Sequence, residues 1–418
     1  MSLLTTFKKP LHELNHRPGG QIPALDALRS FAVLCVIAAH MDKAYHHYGG
    51  MENWVSKLPV VRGGWMGVDL FFVLSGYFIG KLLWRELASI GSIRIGRFIL
   101  RRGLRIWPLY FSFFIFSGFI LGRAGNPPWQ GWSDLVFLTN YQNHGVVMGS
   151  WSLCTEEQFY ILAPLLLILG GCFCVTLAGY RRVLWSLLLI LPVIRAMTWL
   201  HATGSLRLHD ADLWFPRIYS PFHTHCDGLV MGMLISNFEV DGAMRNHWRL
   251  LMSSWSVPLA IAACLILQKL QRESFDFTGL TLVFGSVVWF LLLNRKSWLG
   301  FLESKAFYIL SRLSYGMYLN HEYMHERIAR AVVHFVPLGG TFPAFHEIVA
   351  IGLLATASAA VSVVTFCAIE HPFLQLRDRL LAKRQTVSFS KTNLVALAQG
   401  VDLAPETSPA ENLSFRHL

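Results

Sequence analysis

Long apolar stretches separated by short polar segments are the dominant pattern of this chain. Several of them approach the roughly 20 residues that an α-helix needs to cross a bilayer core. Because backbone groups in lipid must be satisfied within their own segment or a closed barrel, such stretches favour helices. The pattern predicts an all-α, polytopic membrane protein with about ten transmembrane helices. We expect these spans at residues 24–41, 64–85, 106–121, 157–178, 183–200, 218–236, 250–268, 280–294, 307–326 and 345–370.

Composition and charge support this class. Hydrophobic residues make up 54% of the chain and charged residues only 15%, whereas a soluble domain carries about 25% charged residues. This excludes a single soluble domain and a disordered chain. The formal net charge is +11, and the Lys and Arg residues concentrate in the N-terminal segment and in every second loop. By the positive-inside rule both termini should be cytoplasmic, and the charge indicates contact with membrane lipids and no nucleic-acid partner.

The domain organisation follows from the same pattern. We expect a cytoplasmic N-terminal segment over residues 1–22, a membrane domain over 23–380 and a disordered cytoplasmic tail over 381–418. The first segment is polar and holds no apolar core of the kind found in signal peptides, so no cleavable signal peptide is expected. Most of the seven Cys residues lie within apolar stretches, which is typical of buried thiols and not of a disulfide framework.

Ionisable residues inside the predicted spans are the candidates for chemistry, because a charge in the hydrocarbon is costly. His40, Asp69, Glu156 or Glu157, and His321 come from four spans and share a similar predicted depth. A common interior cavity is the cheapest arrangement for them. A histidine beside a carboxylate suits a general base, since the carboxylate fixes the tautomer and supports the imidazolium. Glu156 and Glu157 are about 100° apart on a helix, so one of them should face the cavity.

Two structural alternatives remain open for the first span. Asp26 and Arg29 are spaced for an i,i+3 ion pair that stabilises the start of the helix. His40 could be a water-exposed histidine at the membrane interface. Arg29 and His40 are about three turns apart and therefore share a face, roughly 16 Å from each other along the axis.

A cluster of arginines precedes the third span. Such density suits bidentate recognition of phosphate, and Arg101, Arg102 and Arg105 fall on about one side of a helix. Topogenic charge, or contact with anionic lipid headgroups, is the alternative explanation. The cluster comprises Arg94, Arg97, Arg101, Arg102 and Arg105.

No metal site is expected. The pairs His46–His47 and His223–His225 lack the ligand framework that metal sites require. A proton-coupled transporter is a competing function, because buried charges could form a proton relay. The chain shows no inverted repeat in its hydropathy, and this disfavours transport.

Six motifs, in order, resemble those of the acyltransferase-3 family of integral-membrane acyltransferases. Together they span about residues 22–380. One departure is HEYMH after position 320, where the family more often continues with apolar residues and proline. The motifs are IPALDALRSFAVLCVIAAH, GVDLFFVLSGYFIG, RRGLRIWPLY, WSLCTEEQFYILAPLLL, LSYGMYLNHEYMH and AIEHPFLQL.

The resemblance implies acyl-CoA, most simply acetyl-CoA, as the donor and a catalytic histidine at His40. The arginine cluster would then hold the CoA phosphates, with the pantetheine arm extending past Arg29 towards His40. Glu156 or Glu157 would orient the imidazole, and an acyl-histidine intermediate stays open as a second route. We expect acceptor contacts from Trp151, Tyr160 and His321.

The sequence therefore predicts an O-acyltransferase in a bacterial inner membrane that acts on a hydroxyl of an envelope carbohydrate or glycolipid. A small lipophilic acceptor, a transport function and a purely structural membrane protein are the alternatives. The last of these leaves the convergence of His40 with buried carboxylates unexplained.

Overall fold

The computed structural model describes residues 3–123, 131–142, 145–171, 176–205, 211–243, 276–293, 300–336 and 342–382. Every regular element within these ranges is helical, which confirms the all-α prediction. The longer helices are α1 (Leu3–Leu14), α2 (Pro23–His47), α3 (Gly67–Ile90), α4 (Ile95–Arg123), α5 (Trp151–Gly170), α6 (Leu177–Thr203), α7 (Asp227–Val240), α8 (Asp276–Leu293), α9 (Lys305–Phe335) and α10 (Pro343–Thr365).

Short helical segments connect several of these helices. A π-helical turn, Phe366–Glu370, follows α10, and the chain continues as helix to residue 382. The other short segments are Val55–Lys57, Pro59–Arg62, Gly64–Met66, Trp132–Leu135, Thr139–Gln142, Ala211–Trp214, Phe215–Tyr219, Phe222–Thr224 and Gly300–Glu303.

Local sequence explains where the helices begin and end. Pro23 occupies the first turn of α2, where its missing N–H is not needed. The side chain of Ser304 caps α9 by accepting a hydrogen bond from the N–H of Phe307 at 3.4 Å. Gly91 ends α3 in the left-handed conformation, with φ of 68°.

Within the described residues, six helical segments are long and apolar enough to cross a membrane, so the chain is a multi-pass membrane protein. They are Pro23–His47, Gly64–Ile90, Ile95–Ile120, Trp151–Gly170, Leu177–Thr203 and Pro343–Ala382, and each overlaps a span expected from the sequence.

The predicted count of ten is not confirmed. The helix expected at 218–236 is the 14-residue α7, and the apolar run expected at 280–294 is the shorter helix Phe277–Leu293. Helix α9 has 31 residues, but it is rich in polar residues and is not among the six. The span expected at 250–268, and the tail from residue 383 onwards, lie outside the described residues. The cytoplasmic placement of both termini stays a prediction.

The chain divides into two compact units. Within the described residues, the first unit consists of 3–21, 94–112 and 363–382, and the second of 22–93 and 113–362. In the first unit, Phe98, Leu109 and Tyr110 are buried. The Glu13 carboxylate lies 3.1 Å from Nε2 of His371 and joins α1 to the C-terminal helical segment.

Helices α3 and α7 form the closest helix pair of the second unit. A Cβ added at Gly232 would lie 2.1 Å from the carbonyl oxygen of Val73, and one at Gly76 would lie 2.1 Å from that of Leu229. Only glycine allows backbones to approach this closely. The glycines of the GVDLFFVLSGYFIG motif therefore serve packing.

Helix α2 packs along α9 in the same unit. The hydroxyl of Ser30 donates a hydrogen bond to the carbonyl of Phe307 at 2.7 Å. The hydroxyl of Ser311 donates to Asp26 Oδ1 at 3.0 Å. These contacts fix the facing sides of the two helices, on which His40 and His321 lie.

Candidate active site

His40 meets a carboxylate on α9. Its Nδ1 lies 3.0 Å from Oε1 of Glu322, and the side chains of His40 and Glu322 are 32% and 16% exposed. A carboxylate in this contact accepts the proton, so Nδ1 of His40 carries the hydrogen. Nε2 then holds the lone pair, and no group within the described residues bonds it. An oriented, partly accessible imidazole of this kind can act as a general base.

Two further histidines of α9 adjoin His40. The ring centroids of His40 and His321 are 4.9 Å apart, and those of His40 and His325 are 5.9 Å apart. Nδ1 of His321 donates to the carbonyl of Tyr318 at 2.7 Å, and Nδ1 of His325 donates to that of Glu322 at 2.9 Å. Both rings therefore keep Nε2 as an acceptor. That of His321 is buried and has no hydrogen-bond partner within the described residues.

The segment that precedes α5 borders this group. Gly149 has φ of +66°, and a Cβ there would lie 3.2 Å from Oε1 of Glu322. The hydroxyls of Tyr318 and Ser152 are 2.5 Å apart, and that of Tyr318 is 3.3 Å from the carbonyl of Gly149. The segment and the first turn of α5 thus form a polar border beside the His40–Glu322 pair.

Asp69 belongs to a different pair. Its Oδ1 lies 2.8 Å from Nε2 of His225, and the two side chains are 2% and 1% exposed. Nδ1 of His225 donates to the carbonyl of Tyr219 at 2.7 Å. Both ring nitrogens therefore face oxygen. Aromatic rings enclose the pair: the ring of Phe277 stacks on that of His225 at 3.8 Å between centroids, and the ring of Trp151 lies 5.8 Å away.

Glu156 forms a third group. It accepts hydrogen bonds from the hydroxyl of Ser75 at 2.8 Å and from that of Tyr160 at 2.7 Å. The guanidinium of Arg29 lies near this carboxylate and over the ring of Phe78, at 5.2 Å. Glu157, on the adjacent face of α5, is buried.

The structure thus brings together two of the site residues expected from the sequence, His40 and His321. The expected pairing of His40 with Glu156 or Glu157 is not what it shows, because the carboxylate bonded to His40 is Glu322. Similar depth did not produce one common cluster. Asp69 and Glu156 each have a nearer polar partner, which is His225 for the former and Ser75 for the latter.

Sequence reasoning missed Glu322 and His325. The signal that could have found them is the H-E-x-x-H spacing from His321 to His325. On a helix this spacing places two histidines on one face with a glutamate next to them.

Among the residues that the structure describes, two donor sets could hold a metal ion, and both lie in the second unit. One is His40, Glu322 and His325, and the other is Asp42, His46 and Glu347; the ligand atoms of each set lie within 4.8 Å of one another. In the first set the single carboxylate already pairs with an imidazole. The expectation that the chain holds no metal stays untested.

The arginines that precede the third predicted span lie in the first unit, at the start of α4. Arg102 is buried, and Arg101 and Arg105 are half-buried. Arg101 lies close enough to Arg97, Arg102 and Arg377 for their positive charges to repel its own. The guanidinium of Arg377 in turn bonds Asp378 through Nε and Nη2 at 2.9 and 2.8 Å. This cation-rich group suits an anionic ligand, and its role in binding the donor stays a prediction.

A family model described as an acyltransferase domain matches residues 22–369 of the chain. The match covers most of the sequence and includes His40, Glu322, the first five motifs and the first two residues of the sixth. The chain belongs to the acyltransferase-3 family. This confirms the expected family and the expectation of an acyltransferase.

Three relatives of this family member illustrate the similarity. The chain is 31% identical over 167 residues to the putative peptidoglycan O-acetyltransferase YrhL of Bacillus subtilis. The aligned region covers 36% of this chain and 24% of the relative. It is 32% identical to the putative O-acetyltransferase SACOL0978 of Staphylococcus aureus, over 35% of this chain and 25% of the relative. It is 27% identical to the peptidoglycan O-acetyltransferase OatA of Listeria monocytogenes, over 35% of this chain and 24% of the relative.

The matched part of the chain spans about a quarter of the length of these curated relatives. No solved structure matches the chain. Membership of the acyltransferase-3 family therefore rests on the family match and on the motifs.

Proposed function

We propose that the protein is a membrane O-acyltransferase that moves an acyl group, most simply acetyl, from acyl-CoA to a hydroxyl of an envelope carbohydrate or glycolipid. The observation that carries the proposal is the His40–Glu322 pair, which lies within the matched domain and leaves Nε2 of His40 available. O-acetyl transfer is also the activity in the names of the three relatives. The bacterial inner membrane is the proposed location.

In the proposed mechanism Nε2 of His40 takes the proton of the acceptor hydroxyl. The acceptor oxygen attacks the thioester carbonyl carbon, and the new C–O bond forms as the C–S bond breaks. The leaving CoA thiolate receives the proton from the His40 imidazolium, so no co-reactant is needed. Glu322 holds Nδ1–H of His40 and stabilises the imidazolium between the two proton transfers. Attack by His40 itself, through an acyl-histidine, is the alternative route.

His321 is proposed to position the acceptor. Its Nε2 can accept a hydrogen bond and lies next to the His40 ring. This nitrogen is buried and has no hydrogen-bond partner in the described structure. A hydroxyl of a sugar would satisfy it. Trp151 and Tyr160 stay candidate acceptor contacts, although Trp151 stacks on His225 and Tyr160 bonds Glu156.

The arginine cluster is proposed to bind the phosphates of CoA. Arg102→Ala should raise the KM for acetyl-CoA by about tenfold, the usual scale for one charged hydrogen bond to phosphate. The matched control is the same variant assayed with acetyl-pantetheine, which lacks the nucleotide and its phosphates. An equal rise in KM for both donors would assign Arg102 to membrane topology or to contact with lipid headgroups.

The direct test of the proposed function uses the purified full chain in detergent with radiolabelled acetyl-CoA and a soluble peptidoglycan fragment. Wild type should form an alkali-labile ester, and His40→Asn should not. His47→Asn is the matched control, because His47 is an exposed histidine on the same helix. Ester formation by His40→Asn at the wild-type rate would refute the proposal.

A further inference from the structure

The C-terminal end of α2 carries a second polar group, here called the Asp42 cluster and formed by Asp42, His46 and Glu347. Asp42 and His46 are four residues apart on α2 and share a face, with Nε2 of His46 at 3.3 Å from Oδ1 of Asp42. Glu347 comes from the first turns of α10. The cluster therefore joins two helices at a place that the proposed mechanism does not use.

The carboxylate of Glu347 is fully buried. Its Oε2 accepts hydrogen bonds from the amide of Asn53 at 2.6 Å and from the hydroxyl of Ser56 at 3.1 Å. Oε1 is a buried atom that receives no hydrogen bond from the described residues. A buried carboxylate with a free oxygen is costly unless a proton or a cation compensates it.

A second carboxylate, that of Asp42, adds to the uncompensated negative charge at Glu347. The carboxyl group of Asp42 faces that of Glu347, and two like charges this close repel each other. Within the described residues no Lys or Arg side chain pairs with either carboxylate. Two carboxylates thus share one imidazole, that of His46.

The ring of His46 is oriented with Nδ1 towards the backbone and Nε2 towards the side chains of the cluster. Its Nδ1 lies 3.1 Å from the carbonyl oxygen of Gly50 and so carries a hydrogen. Its Nε2 points to Oδ1 of Asp42 and to the hydroxyl of Ser56, 2.8 Å away. A metal-ligating histidine is commonly fixed by this kind of Nδ1–H bond to a backbone carbonyl.

The His40 group differs in its balance of charge. There one carboxylate, Glu322, adjoins three imidazoles and accepts the Nδ1–H of His40. The Asp42 cluster has one imidazole for two carboxylates, and its ligand atoms lie within 4.8 Å of one another. Because zinc–ligand bonds are roughly 2.0–2.2 Å long, small side-chain rotations would bring all three onto one ion.

We propose that Asp42, His46 and Glu347 bind one divalent cation of the zinc type. One imidazole and two carboxylates are a donor set that zinc accepts, whereas magnesium and calcium prefer oxygen alone. The ion would neutralise Glu347 and tie the end of α2 to the start of α10. The site goes beyond the proposed acyl transfer and does not depend on it, and it departs from the sequence-based expectation of no metal.

The test is a Zn²⁺ titration of the full chain, purified in detergent and stripped with a chelator. Wild type should bind about one Zn²⁺ per chain in the presence of excess Mg²⁺. Each of three variants should weaken Zn²⁺ binding by at least about 100-fold: His46→Asn, Asp42→Asn and Glu347→Gln. Loss of a residue that only supports a ligand costs up to about 100-fold, so a ligand should cost at least as much. His47→Asn is the matched surface control, and His325→Asn disables the other donor set; both should bind like wild type.

Co²⁺ gives a second readout that needs no variant of the Asp42 cluster. Visible d–d bands of a Co²⁺ ion with nitrogen and oxygen ligands, present in both the wild type and His325→Asn and displaced by one equivalent of Zn²⁺, would support the site even if the variants of the cluster failed to fold. Loss of binding in His325→Asn with retention in His46→Asn would move the ion to the His40 group and overturn the proposal. Absence of stoichiometric binding would also overturn it and would mean that Asp42 and Glu347 share a proton.

Discussion

Among the described residues of the second unit, two histidine–carboxylate pairs link distant segments of the chain, and they differ in exposure. In the His40–Glu322 pair the side chains are 32% and 16% exposed. In the His225–Asp69 pair they are 1% and 2% exposed. His40 keeps Nε2 unbonded within the described structure, whereas both ring nitrogens of His225 face oxygen atoms.

The difference separates two uses of the same chemistry. An imidazole can act as a base only if one nitrogen keeps its lone pair and a substrate can reach it. His40 meets both conditions, and His225 meets neither. A fully buried pair instead contributes to the fold, because removal of one partner leaves the other charge uncompensated. We therefore expect substitutions in the first pair to reduce turnover and those in the second to reduce stability.

The largest expected effect is on turnover, in His40→Asn. Loss of the general base should lower the rate of ester formation by about 10²–10⁴-fold, with little change in thermal stability. Single-turnover assays with radiolabelled acetyl-CoA measure this, with His47→Asn as the control. A variant that retains a tenth of the wild-type rate would remove His40 from the mechanism.

The next effect is on stability, in Asp69→Asn. Breaking the buried pair with His225 should cost about 3–5 kcal/mol, seen as a lower melting temperature in detergent. Asp241→Asn is the matched control: Asp241 pairs with Arg181 at 2.7 Å but is exposed, so its loss should cost at most about 1 kcal/mol. Equal stability losses in the two variants would contradict the distinction between buried and exposed pairs.

Glu322→Gln should come third. The amide can donate to Nδ1 of His40 and favour the wrong tautomer, which should lower turnover by about 10²-fold, the lower end for loss of a working base. Glu326→Gln, an exposed position one turn further along α9, is the control. Turnover within threefold of wild type in Glu322→Gln would show that Glu322 does not orient His40.

The smallest effect concerns the packing that holds Asp69 in place. Gly232→Ala would force a Cβ against the carbonyl of Val73, and such overpacking costs about 1–3 kcal/mol. At Gly352, which is exposed on α10 and has open space around it, alanine should stabilise the helix by up to about 1 kcal/mol. Melting temperatures that shift in the same direction would argue against the tight α3–α7 contact.

Much of the fold could be predicted, because apolar length determines a span locally. The six candidate spans each overlap a predicted one. The spans predicted at 218–236 and 307–326 are not among the six candidates, because α7 has only 14 residues and α9 is long but rich in polar residues. These outcomes depend on tertiary packing, which lets a short or polar helix be buried among others.

The site was predictable only in part. His40 and His321 stand out because an ionisable residue in an apolar stretch is costly, and the structure places them together. Glu322 follows His321 directly, but its contact with His40 depends on which faces of α2 and α9 pack. The predicted depth of a residue in the membrane does not determine its partner, so it did not predict the contacts of Asp69 with His225 and of Glu156 with Ser75.

The most direct test of the central claim is the activity of the His40→Asn/Glu322→Gln double variant beside the two single variants. If Glu322 acts only through His40, the double variant should be no slower than His40→Asn alone, because no imidazole remains to be oriented. Single-turnover rates of ester formation provide the comparison. If the losses of the two single variants instead multiply in the double variant, the residues act independently, and the His40–Glu322 pair is not the catalytic unit.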